Sequence, residues 1–378
     1  MGRRRSPVDL EPKFICHIVF NSEPCELKVS RDFNAGIAVT EMIGRTNYVA
    51  LVGGGKQPKF PQTKVIIWDD AKNKSIITLE FRTPVYRVRL SRTRIVVALH
   101  SSVHVYSFSS NPQKLSVFET TDNPFGLCCL NATTIVFPGR TPGQVQLVEV
   151  ATGNVTIIPA HAASLRALDL SRDGQILATA SETGTLIRIF STPSSSLLAE
   201  LRRGVDHATI FSLAISPSST LLAVTSDKST LHIFDLPNAS YAPISQQMSR
   251  AGSSRSNTSV KSPNSDEDGA SHKWGILGKI PLLPRVFSDT YSFSSAPFTI
   301  GDEGFGGDCK IAPSARSMMV GIPGGRPAQG VIGWTSDESL LIIGAGRDGR
   351  WERFLIGEGT DGKRVCWRDG WRRYLGGS

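Results

Sequence analysis

Residues 165–190 read LRALDLSRDGQILATASETGTLIRIF, and residues 211–236 read FSLAISPSSTLLAVTSDKSTLHIFDL. Each stretch is an alternating apolar run, a polar turn, a run of small and β-branched residues, a second turn and a further apolar run. That is the pattern of successive antiparallel strands. At an offset of 45, Ser171 falls on Ser216, Ala178 on Ala223, Ser181 on Ser226 and Thr185 on Thr230. After a one-residue shift, Arg188 falls on His232.

The closing runs of these two repeats, LIRIF (186–190) and LHIFDL (231–236), have counterparts along the chain. They are HIVF (17–20), VIIWD (65–69), VHVYSF (103–108), VQLVEV (145–150) and RWERFLI (350–356). Apart from the last interval they recur roughly every 40 to 48 residues, the period of a four-stranded WD-type blade. Seven third-strand segments predict an all-β chain folded as a seven-bladed WD40-type β-propeller, with one core shared around a closed ring and few exposed edges. Too few residues precede HIVF for a complete first blade. No long segment sustains the 3.6-residue apolar period of a helix.

The interval between the sixth and seventh segments is too long for one blade, and its excess lies in residues 237–300, in blade six. Dense Ser, Asn, Pro and Gly there predict a long disordered loop. Within it, Trp274, Ile276, Leu277, Ile280, Leu282, Leu283 and Phe287 cluster beside Lys273, Lys279 and Arg285. A solvated linker has no use for so many large apolar groups, so this segment is expected either to enter a membrane or to pack on its own blade as an outer strand. The chain divides into an atypical basic segment (1–16), the propeller (17–356) and a basic tail (357–378) that carries two tryptophans.

The 378 residues carry a formal net charge of +9, which favours an anionic partner. The basic residues form no stripe interleaved with stacking aromatics, so nucleic acid is not expected. Six cysteines lack C-x-x-C spacing and paired histidines, which removes the usual zinc and disulfide-framework readings. The start has no membrane-length apolar run and no signal-type cleavage site, so a cytoplasmic location is expected. MGRRRS fits an N-myristoylation pattern beside three arginines or a plain basic tip. Enzyme chemistry finds no support. GGGK (53–56) is followed by Gln57 rather than the Ser or Thr that a P-loop needs for magnesium, there is no G-x-S-x-G elbow, and His161 and Asp169 sit where blades use such groups structurally. No cofactor and no metal are expected.

RTNYVALVGGGKQPKFPQTKVIIWDD (45–70), LRRG (201–204), SDKSTLHIFDL (226–236) and IGAGRDGRWERF (343–354) together resemble the PROPPIN family, β-propellers that bind polyphosphoinositides, and are most similar to its fungal Hsv-type and shorter animal WIPI-type members. The resemblance runs from about residue 18 to residue 356. It implies two lipid sites on the rim of blades five and six, flanking LRRG, for phosphatidylinositol 3-phosphate and the 3,5-bisphosphate. It also implies recruitment of autophagy machinery, including the large bridge-like lipid-transfer protein of the expanding phagophore, and peripheral association with the phagophore assembly site, vacuole or endosome membranes.

The residues themselves suggest how the two sites divide. If AELRRG is the outermost strand of blade five, alternation sends Arg202 and Arg203 to opposite sides of it. Arginine suits phosphate monoesters because its planar fork donates two hydrogen bonds and keeps its proton. One pocket is expected to pair Arg202 with Arg188, supported by the hydroxyls of Ser181 and Thr185. The other is expected to pair Arg203 with His232, supported by Ser226 and Thr230. The protein is expected to be a monomer whose loops near Lys56–Lys64 and Asn111–Lys114 meet protein partners. A protein-only scaffold without lipid binding is the alternative.

Overall fold

The computed structural model describes residues 33–44, 46–55, 57–237, 290–299, 329–344 and 349–373. Six sheets are built from them. Blade two, in the count above, holds β1 (Ile37–Met42), β2 (Tyr48–Gly53), β3 (Lys64–Asp69) and β4 (Lys74–Glu80). Blade three holds β5 (Arg87–Leu90), β6 (Arg94–Ala98), β7 (Ser102–Ser107) and β8 (Lys114–Glu119), and blade four β9 (Cys129–Leu130), β10 (Thr134–Pro138), β11 (Gln144–Glu149) and β12 (Val155–Pro159). Blade five holds β13 (Leu165–Leu170), β14 (Ile176–Ser181), β15 (Leu186–Ser191) and β16 (Leu197–Arg202). Blade six holds β17 (Ile210–Ile215), β18 (Leu221–Ser226) and β19 (Thr230–Asp235), and the chain then returns through β20 (Thr290–Tyr291) and β21 (Ser294–Pro297). Blade seven holds β22 (Val331–Ser336), β23 (Ser339–Gly344), β24 (Arg350–Glu358) and β25 (Arg364–Arg373).

Each blade is an antiparallel meander, and the first strands of successive blades lie side by side from β1 through β5, β9, β13 and β17 to β22. Position within the blade sets burial. Second strands such as β14 and β18 are buried at every residue because a neighbouring blade covers each face, which is why they read as runs of aliphatic, small and β-branched residues without alternation. Fourth strands face solvent and keep few buried side chains. The core accordingly lies between blades. Ala178, Ile187 and Ile189 of blade five pack on Leu213, Leu222 and Phe234 of blade six, and comparable layers join each other consecutive pair from two to seven.

Polar latches tie the inner strands together. Arg89 of blade three donates to the Glu41 carboxylate of blade two at 3.0 Å and to the Cys128 carbonyl at 2.9 Å. The Ile215 amide of blade six donates to Asp169 of blade five at 2.7 Å, and the Trp334 indole of blade seven to the Ala214 carbonyl at 2.9 Å. Asp169 is therefore structural, as its place in the repeat implied. Cys128, Cys129 and Cys366 are free and buried, and burial pushes each thiol up to about 12.

All six third-strand segments within the described residues are third strands, and the all-β propeller is as the repeat predicts. HIVF (17–20), the basic segment 1–16 and the apolar cluster from Trp274 to Phe287 lie outside the described residues. Three expectations change. Residues 364–373, set apart as a tail, form β25, which completes blade seven because Cys366 enters the core it shares with blade six. Residues 290–297, assigned to the loop, form β20 and β21. β16 is also not the outermost strand throughout, since β20 pairs with its end in parallel, Leu201 with Thr290 and Arg202 with Tyr291.

Candidate functional site

In blades three, four and five the third residue of the third strand reaches the blade before it. In blade three His104 meets the Phe81 ring edge-on, with centroids 5.5 Å apart. In blade four the Gln146 amide donates to the Glu119 carbonyl of blade three at 3.0 Å. In blade five Arg188 reaches the Ala160 carbonyl of blade four at 2.7 Å. The geometry therefore repeats a slot, bounded by this side chain and by the residues that end the outer strand of the preceding blade. The repeat superposition is reproduced in three dimensions, since Arg188 pairs with Thr179 on β14 and His232 with Val224 on β18.

The slot between blades four and five contains Arg188, Arg202 and His161. Arg188 also donates Nε to Glu200 at 2.8 Å, which fixes its guanidinium. The β15–β16 register sets Leu186 against Arg202 and Arg188 against Glu200, so alternation puts Arg188, Glu200 and Arg202 on one face. His161 Nε2 lies 2.9 Å from the Thr179 hydroxyl, which in turn donates to the Arg188 carbonyl at 3.2 Å. Burial and the Arg188 charge push the His161 imidazole down to about 4, so it is neutral at pH 7. His161 reads in sequence as a structural turn group, because nothing in a linear pattern shows that a residue four positions before β13 lies beside a side chain from β15.

The slot between blades five and six contains Arg203 and His232. Arg203 follows the last residue of β16, is 8% exposed, and donates Nε to the Gly184 carbonyl at 2.6 Å and a terminal nitrogen to the Asp206 carbonyl. Burial lowers its proton affinity, opposed by the charges of Asp227 and Asp206. His232 Nδ1 lies 3.1 Å from the Ser292 hydroxyl, in the returning segment between β20 and β21. Burial and the nearby Arg203 charge push His232 down to about 4. Each slot thus pairs arginine with a neutral imidazole. Gly184 is required here by two constraints: its φ is +62° and a Cβ would lie 1.7 Å from the Ala208 carbonyl oxygen.

The expected hydroxyls are more varied. Ser181 and Ser226 end the second strands and are buried, Ser181 2.9 Å from the Thr183 hydroxyl and Ser226 accepting weakly from the Lys228 amide. Thr185 and Thr230 are half-buried. The Thr185 carbonyl accepts the Arg203 amide at 2.9 Å, and the Thr230 hydroxyl donates to the Lys228 carbonyl at 3.0 Å. Among the described residues no cluster of three His, Cys, Asp or Glu side chains could hold a metal ion.

Residues 37–251 match the PROPPIN family model. The chain is 59% identical to SVP1-like protein 2 of Emericella nidulans over 89% of its own length and 99% of that protein. Among solved structures it resembles Hsv2 of Kluyvelomyces marxianus, with a TM-score of 0.65, 21% identity, and coverage of 94% of this chain and 91% of that one. It also resembles Atg21 in a complex with the coiled coil of Atg16, with a TM-score of 0.58, 18% identity, and coverage of 93% of this chain and 89% of that one. These two likenesses support the fold. The family match spans both slots, the relative is similar over nearly its whole length, and the chain accordingly belongs to the PROPPIN family of phosphoinositide-binding β-propellers.

Proposed function

We propose that the protein is a non-enzymatic effector that binds phosphatidylinositol 3-phosphate and the 3,5-bisphosphate in its two rim slots and brings autophagy factors to the membranes that carry them. The observation that carries this reading is the pairing of arginine with a neutral imidazole in two adjacent slots, on either side of residues 201–204. A phosphate monoester needs cationic forks and neutral donors together, because its oxygens accept several hydrogen bonds while its charge requires compensation. Arg188 and Arg202 with His161 would hold one headgroup, and Arg203 with His232 the other, with Thr185 and Thr230 at the mouths. Ser181 and Ser226 would support the turns beneath them.

Two slots on one rim favour a membrane over a free headgroup, because the second binding event becomes intramolecular and avidity adds roughly 10²-fold or more. The segment from Trp274 to Phe287 would add apolar insertion, each buried large side chain contributing about 1.5–3 kcal/mol. The Atg21 structure described with Atg16 supports autophagy factors as the partner class. A groove between blades two and three, lined by Tyr48, Ile76, Ile77 and Phe108, adjoins the 111–114 loop and is the favoured protein contact.

Flotation with liposomes containing phosphatidylinositol 3-phosphate tests the reading. Wild type should float at physiological salt, and the Arg202→Thr, Arg203→Thr double variant should not. A folded wild type that stays at the bottom would leave the scaffold reading in its place.

A further inference from the structure

Between the two slots the folded body itself carries an apolar contact point. Val205 is 67% exposed, the most exposed large apolar side chain among the described residues, and Tyr291 is 48% exposed. Neither is scattered at random over the rim. Val205 lies two residues beyond Arg203, in the turn whose Asp206 carbonyl holds the Arg203 guanidinium. Tyr291 pairs in register with Arg202, which puts the two side chains on the same face, and the next residue, Ser292, touches His232. The turn at 204–207 and the segment 290–292 therefore both span the gap between the slots.

We infer that Val205 and Tyr291 form a shallow wedge that enters the interfacial layer of the bilayer whose headgroups fill the two slots. This rests on the lipid-binding reading above. The chemistry favours a membrane over an acidic peptide for two reasons. Tyrosine is amphipathic, with an apolar ring and a polar tip, which suits headgroup depth, and a valine exposed to water gains only where hydrocarbon is within reach. The charges beside the wedge match the same surface: Arg202 and Arg203 flank it, and the exposed Asp206 next to Val205 limits how deep the turn can sink. The wedge belongs to the folded blade, so it requires no ordering of chain on binding and is separate from the segment at 274–287.

The test compares wild type with Val205→Ser, Tyr291→Ser, the double variant and Val205→Trp. Each is measured for partition onto phosphatidylcholine vesicles containing phosphatidylinositol 3-phosphate, for calorimetric affinity toward soluble inositol 1,3-bisphosphate, and for thermal unfolding. The double variant is expected to lose about tenfold in vesicle partition, from the apolar area it no longer buries. Its affinity for the soluble headgroup should stay within about twofold and its unfolding temperature should not change, while Val205→Trp should partition more strongly than wild type. Unchanged vesicle partition in the double variant would overturn the wedge, as it would if the patch served an acidic protein segment. A parallel loss toward the soluble headgroup would overturn it too, because the two side chains would then be shaping the slots. If wild type itself fails to bind the soluble headgroup, the lipid-binding reading falls, and the wedge with it.

Discussion

The slot between blades five and six and the slot between blades six and seven share one backbone plan and oppose each other in charge. His232 and Glu352 are both the third residue of a third strand, and both reach toward the blade before them. His232 stands near Arg203, whereas Glu352, buried, accepts the Thr299 amide at 2.9 Å and Arg368 at 3.2 Å. In the later slot an internal carboxylate occupies the position that the earlier one leaves to an imidazole and a cation. A propeller thus repeats the same niche at successive joints, and one side chain sets the charge it carries: an imidazole beside Arg203 at one joint, a carboxylate paired with Arg368 at the next.

The sharpest way to break this comparison is to remove the cations. Replacing Arg188 and Arg203 together by alanine should abolish vesicle binding, a loss of roughly 10²-fold or more because avidity disappears along with both contacts, as measured by flotation. Arg203→Ala alone should also lower stability by roughly 1–3 kcal/mol in denaturant unfolding, since it strips the Gly184 and Asp206 carbonyls of their donor.

Next in size is a backbone change that leaves every charge in place. Gly184→Ala puts a Cβ against the Ala208 carbonyl at a positive φ, and should cost at least about 1–3 kcal/mol while weakening headgroup binding through the displaced Arg203. Unaltered binding would show that the slot tolerates movement of its floor.

Glu352→Gln probes the closed slot. It should destabilise the protein by roughly 1–3 kcal/mol, because Arg368 loses its charged partner, and should leave affinity for soluble inositol 1,3-bisphosphate unchanged. Weaker headgroup binding in this variant would erase the distinction between the two slots.

The smallest effect expected is a pH dependence. His161 and His232, both held near 4 in the folded protein against 6.5 in an unfolded chain, bind fewer protons when folded, so they contribute stability above pH 6.5 that is lost as pH falls toward 4. A phosphate dianion in either slot raises the imidazole pKa, so binding takes up protons. Headgroup affinity should therefore rise by less than about twofold between pH 7.5 and 6.5, and His232→Gln should flatten part of that slope in calorimetry at several pH values.

Much of this was legible in sequence because strand position and burial are coupled. β14 and β18, covered on both faces, carry no charged or long polar side chain, and β15 and β19 must alternate, so the repeat and its register are written in ILATAS, LLAVTS, LIRIF and LHIF. The division of Arg202 from Arg203 follows from the two-residue period of a strand. β25 was harder to read, because its arginines and tryptophans dominate the composition and only Cys366 is buried.

By itself, the sequence determined the all-β repeat, the equivalence of Arg188 with His232 and the opposite directions of the paired arginines, since each depends only on local periodicity. The tertiary structure alone decided that His161 belongs beside Arg188, that Tyr291 returns to lie against Arg202, and that Glu352 closes the next slot. Those three relations join residues from different blades or from opposite ends of a long insertion, and no local pattern records which side chains the closing of a joint between two sheets will bring together.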